Sequence, residues 1–119
     1  AKDHGQAFLT LESGRAVAFV MDEPLLYGER TKAKNQADWV VTGKPLQTET
    51  YACMMRKDDP AFKKVADDVI ADLMKSGKAN DLYKKWFLSP IPPKGLNLNY
   101  PMTAGMKELY AHPNDKAIQ

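Results

Sequence analysis

The chain has 119 residues, 44% of them hydrophobic and 27% charged, which supplies one domain-sized core and no more. Its 17 basic and 15 acidic side chains leave a net charge of +2, too small to point to nucleic acid as a partner. No apolar run approaches the roughly 18 residues of a membrane-spanning helix, and the single cysteine, Cys53, excludes an internal disulfide and a thiolate metal site.

The opening Ala1-Lys2-Asp3-His4-Gly5 starts in mid-pattern, without initiator Met, signal peptide or targeting motif, as a processed or cloned fragment would. Ala7, Phe8 and Leu11 fall at helical spacing and predict a short helix, which Gly14 is suited to end in a left-handed cap. Ala16 to Met21 reads AVAFVM, an unbroken apolar run expected of a strand buried on both faces of a parallel sheet. Asp22 then stands where it can cap a second helix, with Pro24 in the first turn and Leu25 and Leu26 turned inward. After a lysine-rich polar stretch, Trp39 to Thr42 predicts a second strand.

Gly43-Lys44-Pro45 breaks this αβαβ order and marks a candidate hinge, and Thr50 to Arg56 predicts a third strand. Asp59-Pro60 is a strong helix start. From Phe62 through Val65, Ala66, Val69, Ile70, Leu73 and Met74 the apolar residues then recur every three or four positions, a one-sided stripe. Ser76-Gly77 stops that helix, and Leu82, Tyr83, Trp86 and Phe87 give another that ends before Pro90. Pro90 to Pro93 should be extended, Leu96 to Tyr100 alternates weakly over a surface, and Thr103 can cap a final helix through Tyr110, stopped at His112-Pro113. Three strand candidates against five helices make an α/β chain whose sheet is too narrow to stand alone, so an upstream segment is expected to complete it.

Asp22 is the first candidate for chemistry. It lies at the carboxyl end of an expected buried strand, where open α/β sheets present ligand-contacting loops. As an acceptor-only carboxylate it can hold a ligand ammonium group or simply cap its helix, and its two oxygens make the roles compatible. His4, before the first helix, can face the same cleft and donate to an anionic group, although a lone loop histidine is ordinarily a surface residue. Cys53 sits in an apolar strand candidate without the local signature of a cysteine nucleophile. Met54, Met55, Met102 and Met106 are expected to fill core space rather than bind metal, and the pairs Lys63-Lys64 and Lys84-Lys85 to form solvated helix faces. No phosphate loop, metal-carboxylate pair or Ser-His-Asp arrangement is visible, so no cofactor, metal or catalytic residue is assigned.

LESGRAVAFVMDEPL, residues 11–25, resembles the second lobe of periplasmic amino-acid-binding proteins of the type II two-lobed fold. YACMMRKDDPAFKK (51–64) is similar to that family's returning strand and helix start, and WFLSPIPPKGLNLNYPM (86–102) to its glutamate/aspartate members. With AKDHG at the front and HPNDKA near the end, the resemblance covers essentially the whole chain. It implies an extracytoplasmic, periplasmic receptor that closes two lobes on an acidic amino acid and delivers it to an ABC-transporter permease. Residues 1–42 would be the later part of lobe two and 43–50 the hinge crossing. Residues 51–93 would then form the return into lobe one, and 94–119 a carboxy-terminal extension.

The resemblance assigns the ligand's ammonium group to Asp22 and its side-chain carboxylate to His4. Arg56 and Lys57 match the family without an assigned binding role. The first lobe, with the arginine that clamps the α-carboxylate, has no counterpart here, so weak binding and self-association or exchange of elements are expected. A cysteine at the position of Cys53 would pair with one in the absent lobe. The rivals are a dehydratase-like enzyme on the same fold, an extracellular sensor domain and a purely structural module. An enzyme would need a poised general acid or base, whereas Asp22 and His4 are better suited to holding a ligand.

Overall fold

The computed structural model describes residues 1–116. The chain divides into two compact units: Ala1–Gly43 with Lys85–Pro101, and Lys44–Lys84 with the residues from Met102 onward. All five expected helices form: α1 His4–Glu12, α2 Glu23–Arg30, α3 Pro60–Lys75, α4 Lys78–Phe87 and α5 Ala104–Ala111. A 3-10 turn, Gln36–Asp38, adds to them.

Helix ends follow local chemistry. Asp3 accepts from the Gln6 N–H, Asp59 from Phe62 and Thr103 from Met106, each satisfying a first-turn donor that no helix carbonyl reaches. At the other end of α1, Gly14 takes φ 72°. Its N–H donates to the Leu11 carbonyl at 3.0 Å and that of Arg15 to Thr10 at 3.1 Å, the paired bonds of a Schellman stop. Gly77, at φ 81°, separates α3 from α4 in the same left-handed conformation.

In the first unit α1 packs on α2. Buried Phe8 meets Trp39 edge-on with ring centroids 5.6 Å apart, and buried Tyr100 lies against Tyr27 and Phe87. The connection after α2 is tied by polar bonds: Thr31 Oγ1 donates to the Gly28 carbonyl, Gln36 to the Thr31 carbonyl, and the Lys34 N–H to Glu12 Oε1. In the second unit α3 packs on α5, Tyr83 is buried, and Lys63 joins Asp67 and Asp115.

The strands are where expectation and structure part. Among the described residues there is no strand. A β-bridge, Ile91 to Leu96, closes a turn at Gly95. Ala16–Met21, Trp39–Thr42 and Thr50–Arg56 lie outside regular structure. Val17 is 102% exposed and Val20 72%, the opposite of a strand buried on both faces. A strand is stabilised by the ladder it shares with a neighbour, and an apolar run without one leaves its N–H and C=O groups to water. Met54, expected to pack, is fully exposed, and Cys53 is an exposed free thiol rather than part of an apolar strand. Leu25 faces outward and not inward, and the α3 stripe is only partly covered, with Phe62, Val65, Val69 and Ile70 all exposed.

Candidate functional site

Asp22 holds the N-cap position of α2 with φ −55° and ψ 133°, and Pro24 occupies the first turn as expected. Its main-chain carbonyl accepts from the N–H groups of Leu25 and Leu26, both at 3.0 Å. The side chain makes no capping hydrogen bond, so of the two roles read from the sequence the side-chain cap is not the one adopted. Half-buried Asp22 is followed by Glu23 in the first turn of α2, at the positive end of the helix dipole, where negative charge is favoured. An ionised carboxylate there accepts hydrogen bonds and can hold an ammonium group.

His4 is exposed in the first turn of α1, where Asp3 takes the Gln6 N–H at 2.8 Å. Its imidazole can therefore donate to an anion from outside the helix. His4 and Asp22 thus lie at the N-terminal ends of two helices that pack on one another within one unit.

Sequence reasoning passed over a third group. Tyr100, read as part of a surface run, is 6% exposed, and its hydroxyl donates to Glu23 Oε2 at 3.3 Å. Its ring meets Tyr27 at 4.8 Å, tilted by 41°. Glu23 and Tyr27 are four residues apart and so share one face of α2. That spacing was legible beforehand; its partner, 77 positions away, was not.

Each unit has a surface cavity of its own. One, of about 200 Å³, is lined by Leu9, Glu12, Lys34, Asp38 and Trp39 among others. The other, of about 580 Å³, lies open at the end of α3 beside Asp72, Lys75 and Lys78. Neither is lined by Asp22 or His4. Among the described residues no group of three or more His, Cys, Asp or Glu side chains could hold a metal ion, and no helix is long and apolar enough to cross a membrane.

Residues 3–89 match the family described as bacterial extracellular solute-binding proteins, family 3. The chain belongs to this family. Membership brings with it the two-lobed periplasmic-binding fold. The chain is 60% identical over all 119 residues to the L-glutamate/L-aspartate-binding protein of Pseudomonas aeruginosa. It is 58% and 57% identical over 118 residues to the glutamate/aspartate import solute-binding proteins of Escherichia coli and Salmonella typhimurium. All but at most 1% of the chain is covered in each case, yet the chain spans only 39% of the length of each relative. The resemblance drawn from LESGRAVAFVMDEPL and WFLSPIPPKGLNLNYPM is therefore borne out at the level of family, and the missing sheet partners fit the difference in length.

Proposed function

We propose that this chain forms part of an extracytoplasmic, periplasmic receptor that binds glutamate or aspartate and delivers it to an ABC-transporter permease. The observation that carries the reading is the 60% identity over all 119 residues to a protein named for binding both acidic amino acids. In this reading Asp22 accepts the ligand's ammonium group and His4 donates to its side-chain carboxylate. Both are contacts of recognition, and in this reading the chain serves a receptor rather than an enzyme. Residues 1–42 belong to lobe two, 43–50 cross the hinge, 51–93 return into lobe one and 94–119 form the extension. Of that extension, residues 117–119 lie outside the described residues.

The test is a titration of the ¹⁵N-labelled chain with L-glutamate, L-aspartate and L-leucine, followed by NMR. With ammonium and side-chain contacts but no arginine clamp, affinity in the millimolar range is expected, about 4 kcal/mol at a 1 M standard state. The dicarboxylates should shift the amides of His4, Asp22, Glu23, Leu25 and Leu26, leucine should not, and Asp22→Asn should remove the response. Equal shifts from leucine, or a response that survives Asp22→Asn, would overturn the assignment. Micromolar binding would show that the half-site reading is wrong.

A further inference from the structure

We infer that Tyr100 is a positioning residue for Asp22, holding the first turn of α2 in the orientation that presents this carboxylate. The inference rests on the reading of Asp22 as the ammonium contact. It starts from a buried tyrosine that grips one helix at two points a turn apart. The Tyr100 hydroxyl donates to Glu23, the residue next to Asp22, and its ring lies on Tyr27. A hydrogen bond alone would fix a distance and a ring contact alone a face. Together they restrict both sliding and rotation of α2.

The grip is itself anchored. The Tyr100 N–H donates to the Phe87 carbonyl at 3.1 Å, and the two rings meet edge-on at 6.0 Å, so the residue is fastened to the last turn of α4. The segment leading to it is shaped to arrive there. The Ile91 N–H donates to the Leu96 carbonyl, and the Asn97 amide donates to the Leu88 carbonyl. Asn97 Oδ1 then accepts from the Asn99 N–H, with Asn99 at φ 50° immediately before Tyr100.

Asp22 follows whatever α2 does, because its carbonyl is bonded to the Leu25 and Leu26 amides. A ligand contact is useful only within about half an ångström of its productive position, and rigid support from outside the first shell supplies that precision.

Those two amides also supply the assay, since their exchange reports whether the first turn stays closed. In the ligand-free chain Tyr100→Phe keeps the ring and deletes the hydroxyl. It should speed exchange at Leu25 and Leu26 roughly three- to tenfold, the loss of one net hydrogen bond, while Ser13 and Gly14 of the α1 stop stay unchanged. Glu23→Gln should act in the same direction and less. In the glutamate titration Tyr100→Phe should weaken binding by a similar factor.

Unchanged exchange at Leu25 and Leu26 overturns the inference whatever the ligand does. Acceleration spread equally over all helices overturns it too, by showing general loosening, as does glutamate binding that Tyr100→Phe leaves unchanged. If exchange rises as expected but Asp22→Asn leaves affinity untouched, the reading of Asp22 as ligand contact has failed, and the positioning role fails with it as a functional claim.

Discussion

Substituting alanine at two glycines of the same unit should move stability in opposite directions. At Gly14, with φ 72°, an added Cβ meets nothing within 4 Å, so the whole effect of Gly14→Ala is the cost of forcing an L-residue into left-handed backbone. That cost is about 1–2 kcal/mol, and avoiding it would break the paired bonds from Gly14 and Arg15 that stop α1. At Gly28, inside α2, a Cβ also meets nothing within 4 Å, but the backbone is helical. Gly28→Ala therefore gains the propensity difference of about 0.8–1 kcal/mol, and the Thr31 bond to its carbonyl is left intact. The two variants should differ by about 2–3 kcal/mol, or roughly 8–12 °C in midpoint for a chain near 100 residues. Thermal unfolding followed by circular dichroism at the helix band measures this directly. A Gly14→Ala midpoint equal to or above that of Gly28→Ala would refute both the conformational argument and the assignment of Gly14 to the helix stop.

Two other outcomes follow from charge and exposure. Hydrogen bonds donated to Asp67 and Asp115 push the Lys63 ammonium up to about 12 from 10.5, and the contact with Lys63 lowers Asp115. The contribution from Lys63 is complete below pH 10.5 and is lost as pH rises through about 12; that from Asp115 is present above its ordinary range near 3.8 and lost as pH falls through its depressed value. Both groups are exposed, so the energy is small and screened by salt, and the direct readout is Lys63 titration by NMR. Its midpoint should fall toward 10.5 in an Asp67→Asn, Asp115→Asn double variant, and an unchanged midpoint would contradict the contacts. Exposed Val17, Val20, Val40 and Met54 should drive concentration-dependent association in sedimentation velocity, reduced by Val17→Lys with Val20→Lys. A monomer across a hundredfold concentration range would show that these segments are not association surfaces.

Family membership and helix positions were legible in the sequence because both are written in contiguous residues. Asp59-Pro60 starts α3 and Thr103 caps α5 through oxygens that reach an N–H three positions on, and Gly14 and Gly77 end their helices through a conformation that only local backbone determines. None of these needs anything distant. The site was legible in part: Asp22 does head α2, and the motif around it marks the family, but its side chain does not cap the helix.

What the tertiary structure alone decided is everything that depends on a partner far along the chain. AVAFVM has strand composition, yet a strand exists only when another backbone supplies its ladder, and among the described residues none does. The α3 stripe has helical period, but periodicity states which side would be buried and not whether anything lies against it; Phe62 and Val65 remain exposed. Tyr100 shows the converse. An apparently exposed residue in a polar run is buried on Tyr27 and bonded to Glu23, 77 positions away, because the segment from Leu88 to Asn99 turns it inward. Hydrogen-bonding reach of a few residues fixes helix ends in one dimension, whereas pairing and burial are properties of proximity in three.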